Sequence, residues 1–408
     1  MQGLHLTNDL HGCGCAPMLL RDSAELKAAC VTFATKAGLT VVGEHFHTFA
    51  DAGGVTGVVL LAESHLAIHT WPELNAVTLD VYVCNFAADN SAKARALMEA
   101  LVALFKPATQ RNNTLQRGIP PCGAGSEVPL LEWITPNVAH GFTRRQPSRI
   151  AQSAYQSIEW HDSDALGRVF ALDGAFMASA RDEFIYHECM VHVPALAVAA
   201  PQRALVMGGG DGCSARELLK HPSLTQIVVA ELDGDVVTSA KREFADVING
   251  AFDDPRVSVY IGDALAYLRE SRAQFDLVVM DLTDPDDDNA ARLYRESTYH
   301  LIGDHLSVDG IVSLHLGSAF YHPERFARTL RELRHVFAQV HAYKAFMPLY
   351  GAEWGMACAS MRTNPATMNA AAIASRMQQR GIANLRFYTP RVHASLFAWP
   401  GYAETLGA

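Results

Sequence analysis

Between Ala62 and Glu73 the chain reads Ala-Glu-Ser-His-Leu-Ala-Ile-His-Thr-Trp-Pro-Glu, a serine, two histidines and two carboxylates within twelve residues. The stretch ends an apolar run, Val55–Leu61. A buried strand that stops in ionisable groups puts costly polar atoms where a core begins, so it is either a strand leaving the core into a polar turn or a site. A second set of acids lies further on. The strand-like runs 227–230, 257–261 and 275–280 end at or near Glu231, Asp263 and Asp281. Ligands of open parallel sheets bind beyond the carboxyl ends of the strands, so these three acids are expected to share one crevice.

The elements that must position them can be read from periodicity. Asp22-Ser23-Ala24-Glu25 is a helix start, with Leu26, Cys30, Phe33 and Ala37 on one face and Gly38 as the stop. Residues 41–49 read as a strand, and Thr78–Cys84 alternates, with Leu79, Val81 and Val83 on one face and Asp80, Tyr82 and Cys84 on the other. Residues 91–105 form a helix on the stripe Ala94, Leu97, Leu101, Leu104, Phe105. The period then stops, and residues 107–126, with Pro120-Pro121 and Gly123-Ala124-Gly125, are expected to be a linker. Residues 127–196 read as a β-strand section with a hairpin turn at Asp173-Gly174. From 197 to 408, strands and helices alternate as in a doubly wound Rossmann-like sheet. There Gly208-Gly209-Gly210-Asp211-Gly212 is a tight turn between a strand and a helix, where a ligand can approach the backbone. Glu231 stands about twenty residues on, where an acid binds a ribose hydroxyl pair. Cys213 fills the third glycine of the dinucleotide pattern, which disfavours NAD and leaves a methyltransferase or an aminopropyltransferase, both of which hold an adenosyl sulfonium on such a sheet.

At 408 residues the chain is long enough for two or three domains. A net charge of −10 argues against nucleic acid and suits cationic ligands such as amines. Of eight cysteines only Cys13 and Cys15 are close-spaced, so no metal site is expected. The chain shows neither a signal-type amino terminus nor an apolar run near 18 residues, which predicts a cytoplasmic protein with no membrane contact.

Two resemblances sharpen this. Glu63-Ser64-His65, His69 and Trp71-Pro72-Glu73 resemble the processing site of the short bacterial and archaeal S-adenosylmethionine decarboxylase proenzymes. The resemblance implies a small α/β sandwich over residues 1–106 and self-cleavage between Glu63 and Ser64. Ser64 would become a pyruvoyl cofactor that condenses with the substrate amine as a Schiff base and accepts electrons as carbon dioxide leaves. It further implies that His69 serves cleavage, that Thr56 stands where relatives carry a processing serine, and that Cys84 reprotonates the product. Phe49 stacks on the adenine, Glu73 binds the ribose, and the site forms between two chains, hence at least a homodimer. This chain departs from the family in reading Glu73-Leu74-Asn75-Ala76-Val77 and Val83-Cys84-Asn85.

From Gly167 to Tyr402 the chain resembles spermidine synthase, in Gly167-Arg168-Val169, Leu172-Asp173-Gly174, Asp182–Glu188, the glycine turn, Asp263 and Asp281-Leu282-Thr283-Asp284-Pro285. The resemblance implies that decarboxylated S-adenosylmethionine lies on Gly208, Gly210, Asp211, Glu231 and Asp263. Asp281 would deprotonate the attacking amine, with Tyr186, His187, Asp284 and Tyr350 binding that amine. Asp286-Asp287-Asp288, Met177 and Pro348-Leu349-Tyr350 depart from the family pattern, so agmatine or a longer polyamine stands beside putrescine as acceptor. The combined expectation is a bifunctional enzyme of spermidine synthesis, the first half making the donor that the second half uses. The alternatives are an amino-terminal ornithine or arginine decarboxylase, or an inactive regulatory or dimer-forming module.

Overall fold

The computed structural model describes residues 3–50, 53–85, 89–117, 127–284 and 291–407, and the chain divides into two compact units, Met1–Ser126 and Glu127–Ala408. The first is one antiparallel sheet. Its strands are β1 (Gly3–His11), β2 (Val41–Thr48), β3 (Val55–Leu61), β4 (Ser64–Trp71), β5 (Ala76–Cys84) and β6 (Thr109–Arg117), in the order β2-β3-β4-β5-β1-β6. The alternation of β5 is observed: Leu79, Val81 and Val83 are buried, and Thr78, Asp80 and Tyr82 are half-buried on the other face. Helices α1 (Ser23–Lys36) and α2 (Ser91–Phe105) pack on the apolar face. Asp22 caps α1 by accepting hydrogen bonds from the Ala24 and Glu25 N–H groups. The buried stripe is Leu26, Cys30 and Ala34; Phe33 and Ala37, expected on the same face, are half-buried at its edge. The polar face carries His5, His65 and Tyr82 in one cross-strand row and Thr56, His69 and Thr78 in another.

One expectation fails here. Residues 109–117, expected to belong to a linker, form β6 and pair with β1 along its length. The strand is at the sheet edge and its described side chains are exposed, so it has no need of the apolar alternation that would announce it.

The second unit holds two sheets. Strands β7 (Glu127–Thr135), β8 (Val138–Gln152), β9 (Ser157–Ser163), β10 (Gly167–Leu172) and β11 (Ala175–Ser179) form an antiparallel meander. The β10–β11 hairpin turns at Asp173 and Gly174, whose φ values of 49° and 82° are those of a two-residue primed turn. The larger sheet contains β12 (Arg203–Gly208), β13 (Gln226–Glu231), β14 (Val257–Ile261), β15 (Phe275–Asp281), β16 (Leu306–Gly317), β17 (Gln339–Met347) and β18 (Ala352–Ser360). Its order is β14-β13-β12-β15-β16-β18-β17, parallel from β14 to β16, with β18 antiparallel to both neighbours. Helices α3 (Glu183–Ala197), α4 (Cys213–Leu219) and α5 (Gly234–Glu243) lie against it. Among the described residues no helix is long and apolar enough to cross a membrane.

A second correction concerns residues 183–196, expected to close a strand-rich section. They form α3, buried on nearly every side, including Glu183, His187, Glu188 and His192. These polar groups are satisfied internally. Glu188 accepts the N–H groups of Arg386, Phe387 and Tyr388 at 2.8–2.9 Å. Glu217 of α4 meets His192 at 2.8 Å and Lys220 at 2.7 Å, and is also paired with Arg216. Removing the carboxylate charge at Glu217 strands cations in a dry site. Glu217→Gln is therefore expected to cost about 3 kcal/mol in denaturant unfolding of this unit, against under about 0.5 kcal/mol for a similar change at exposed Glu404.

Candidate active sites

In the second unit the site is built where β12, β13 and β15 end. The β12–α4 turn brings backbone against side chains so closely that only glycine fits. A Cβ at Gly208, at φ 78°, would lie 2.2 Å from the Asp281 carbonyl oxygen, and one at Gly210 would lie 2.8 Å from Glu231 Oε2. Glu231 accepts hydrogen bonds from Gly210 N–H (3.0 Å) and Asp233 N–H (2.9 Å). Burial, only partly offset by those two donors, pushes its carboxyl up to about 7. Asp263 caps the helix Ala264–Glu270 through Leu265 N–H (2.9 Å) and pairs with Arg292 at 3.2 Å.

The β12–β15 register sets Gly208 opposite Asp281. Asp281 accepts a hydrogen bond from Ser214 Oγ at 2.7 Å. Beneath it lies His187, 2% exposed. One ring nitrogen, Nδ1, faces the Glu183 carbonyl oxygen (2.7 Å) and carboxylate (3.1 Å); the other, Nε2, is 3.5 Å from Asp211 and 3.7 Å from Asp281. Arg216 holds Glu183 in a two-point ion pair at 2.8 and 2.9 Å. Burial works against a charged imidazole, but Asp211, Glu183 and Asp281 outweigh it, so His187 stays protonated far above the ordinary histidine range. Burial likewise works against the Asp211 carboxylate, and the His187 cation overcomes it, holding Asp211 below its usual range. Asp281 is pushed up to about 6 by burial first and by Asp211 next, with His187 opposing. Two neighbouring acids thus stand apart in proton affinity, and the weaker acid is the one placed to take a proton.

Two adjoining chambers meet here, of about 300 Å³ and about 430 Å³. The first holds the glycine turn, Asp211, Glu231, Asp263 and Asp281. The second holds Glu132, Asp284, His315 and Trp354. Tyr186, Tyr350 and Met177 line both, and Tyr350 is fixed by donating to the Met177 carbonyl oxygen at 2.7 Å. All expected residues of this half converge. Gln156, which no motif signals, also lines both chambers and donates to Asp233 at 3.0 Å. Asp286, Asp287 and Asp288 lie outside the described residues.

In the first unit the expected residues fall into two groups. Ser64 follows the two-residue turn Ala62-Glu63, where Glu63 adopts φ 62°, a left-handed conformation ordinarily left to glycine or asparagine. Ser64 Oγ accepts the Cys84 N–H at 3.1 Å, so these two residues are neighbours, and Cys84 is 5% exposed despite lying on the polar side of the alternation. At the other end of the hairpin Thr56 Oγ1 meets His69 Nδ1 at 2.8 Å, with Phe49, 50% exposed, and Glu73 in the adjoining loops. The register pairs Leu61 with Ser64 and Thr56 with His69. Five residues of strand, roughly 17 Å, therefore separate Ser64 from His69 within one chain. On the same sheet His5 Nε2 is 2.7 Å and His65 Nε2 3.4 Å from Asp80, a set of ligand-type atoms. Arg117 donates to His5 Nδ1 at 3.0 Å, which puts the ring proton on Nε2, facing Asp80, and leaves no lone pair there for a metal.

This fold and this paired-chamber site define a transferase that handles an adenosyl compound. A family profile for the spermine/spermidine synthase domain matches residues 183–370, and one for S-adenosylmethionine decarboxylase matches residues 4–118. A polyamine aminopropyltransferase of Nitrosomonas europaea is 40% identical over 65% of this chain and 82% of its own length, and that of Pyrobaculum neutrophilum is 34% identical over 62% and 87%. Among solved structures, a spermidine synthase in complex with the transition-state analogue AdoDATO matches at TM-score 0.65 and 30% identity over 71% of this chain and 97% of that one; the enzyme of Thermotoga maritima matches at 0.63 and 29%, over 71% and 96%. The chain belongs to the polyamine aminopropyltransferase family and carries an S-adenosylmethionine decarboxylase domain fused ahead of it.

A base must be unprotonated to act, so aminopropyl transfer is expected to rise with pH through an apparent pKa of about 6. Asp281→Asn should lower the rate by about a thousandfold. His187→Asn removes the cation that holds Asp281 down, so its acid limb should move to higher pH in a pH–rate profile. An unmoved limb would break the assignment of Asp281.

Proposed function

We propose that the second unit transfers the aminopropyl group of decarboxylated S-adenosylmethionine to a diamine, putrescine being the simplest. The observation that carries this is the buried carboxylate of Asp281 beside the junction of two chambers, each sized for one substrate. Glu231 accepts from the ribose hydroxyls, Asp263 reads the adenine, and Asp211 faces the aminopropyl ammonium, its charge preserved by His187. An alkylammonium with pKa near 10 must lose a proton before it can attack, and Asp281 takes it. The free nitrogen lone pair then forms the N–C bond to the methylene next to sulfur. The C–S bond breaks with its electrons going to sulfur, and neutral methylthioadenosine leaves. His187, expected among the amine-binding residues, is a cation in this reading and acts by positioning Asp211 and Asp281.

For the first unit we propose self-cleavage. The Ser64 hydroxyl attacks the Glu63 carbonyl, an ester replaces the peptide bond, and elimination returns the Glu63 carboxylate. Water then releases ammonia and leaves a pyruvoyl group at residue 64. The residues present fit this: Ser64 lies in contact with the Cys84 backbone, and the positive φ at Glu63 stores strain of about 1–3 kcal/mol at the bond to be broken. The pyruvoyl carbonyl supplies the electron sink for decarboxylation. Cys84 delivers a proton to the product, while Phe49 and Glu73 hold the adenosyl end. Because Thr56, His69, Phe49 and Glu73 share one end of the hairpin and Ser64 and Cys84 the other, each complete site takes one group from each of two copies of the chain.

Ser64→Ala and His69→Ala are each expected to remain uncleaved when expressed alone. Co-expression should restore cleavage of the His69→Ala chain at Ser64, since one site of a mixed dimer then has both wild-type groups. Denaturing mass spectrometry showing fragments 1–63 and 64–408 supports the shared site; two intact chains would refute it. Cleaved protein should release carbon dioxide from carboxyl-labelled S-adenosylmethionine and not from ornithine or arginine.

A further inference from the structure

On the aminopropyltransferase reading of the site, on which this inference rests, the first chamber holds the adenosyl donor and the far end of the acceptor lies in the second. Tyr350 lines both chambers and stands 4.7 Å from Trp354, which lines the second. The ring is carried by a four-residue turn, residues 348–351, between β17 and β18. Such a turn has few bonds of its own to fix a side chain. Here they are Tyr350 N–H to the Met347 carbonyl oxygen and Gly351 N–H to that of Pro348, both at 3.2 Å.

The turn is fastened from outside. Leu349 N–H donates to Asp182 Oδ2 at 2.7 Å, and His140 Nε2, on β8, lies 3.2 Å from the Pro348 carbonyl oxygen. That oxygen can only accept, so Nε2 carries the proton. Both polar ends of one peptide group, 348–349, are therefore held. The turn closes so tightly on the His140 ring that a Cβ at Gly351, φ 61°, would collide with it. The Leu349 side chain is buried with Val169, Ala171 and Phe176 of the meander.

Asp182 has the most telling position. It stands at the N-cap of α3, where an aspartate ordinarily accepts an N–H of the first turn, yet its side chain caps nothing. One oxygen goes to Leu349, and the other accepts Ser179 Oγ, at the end of β11, at 2.5 Å. The side chain is buried, and burial pushes its carboxyl up. The carboxylate thus serves a turn 167 residues away rather than its own helix. Five residues on, the same helix supplies His187 beneath Asp281.

We propose that Asp182 is a positioning residue of aminopropyl transfer: through Leu349 N–H it fixes the Tyr350 ring as the wall along which the acceptor amine reaches Asp281, and His140 holds the other end of the same peptide group. One helix start then sets both the wall, through Asp182, and the base, through His187. The donor's anchors, Asp211, Glu231 and Asp263, are carried by other elements and do not depend on the turn.

The test uses the full chain with decarboxylated S-adenosylmethionine and putrescine. Asp182→Ala leaves the Leu349 N–H without its acceptor, so KM for the amine should rise about tenfold and kcat fall about tenfold, with KM for the donor unchanged. Asp182→Asn, whose amide oxygen can still accept that N–H, should restore both. His140→Phe should repeat the loss, and His140→Gln, which keeps a donor at the place of Nε2, should reverse it. A folded Asp182→Ala with wild-type KM for the amine overturns the proposal. So does an Asn variant no better than Ala, or a donor KM that moves as far as that of the amine. If Asp182→Ala does not fold, the two His140 variants decide by the same outcomes. Failure of the wild-type chain to transfer to any amine would instead overturn the aminopropyltransferase reading itself.

Discussion

A protonated histidine surrounded by carboxylates in a dry site is the constraint on which the second unit depends. His187 is charged only because Glu183, Asp211 and Asp281 together outweigh its burial. Those acids tolerate being within about 4 Å of one ring because the cation is there. The chain of charge continues outward, from Glu183 to Arg216 and from Arg216 to Glu217 and Lys220. This explains why α3 is both buried and polar. Its acidic and basic residues support two neighbouring carboxylates, Asp211 and Asp281, that differ in proton affinity.

Much of this was legible in the sequence because it follows from backbone periodicity. The acids at the ends of β13 and β15 and at the helix start beyond β14, the glycine turn and the Asp173-Gly174 hairpin are local patterns, and all stand where those patterns put them. The edge strand β6 was not legible, since a strand exposed at a sheet edge carries no apolar alternation. The separation of Ser64 from His69 was implicit: five residues of strand place two side chains on opposite faces and far apart. Gln156 could not be found, because it owes its position to a residue distant in sequence, Asp233.

The two halves solve opposite electrostatic problems with one substrate family. Decarboxylation needs an electron sink, which no ordinary side chain provides, and in the proposed reading the first unit makes one from Ser64, which follows the positive-φ residue Glu63. Aminopropyl transfer needs no sink, because the sulfonium already withdraws electrons; it needs a neutral amine and a fixed line of approach. In the proposed reaction the buried carboxylate of Asp281, in the first chamber, meets that need by taking the proton.

Together the two proposed activities would let one chain convert S-adenosylmethionine into an aminopropylated amine. The most direct test is to incubate the purified protein with S-adenosylmethionine and a panel of diamines, with no decarboxylated donor added, and to follow carbon dioxide and methylthioadenosine together. The expected result is that methylthioadenosine appears and never exceeds the carbon dioxide released. Methylthioadenosine formed only when decarboxylated donor is supplied would contradict the claim, and would leave an aminopropyltransferase whose first unit has some other role.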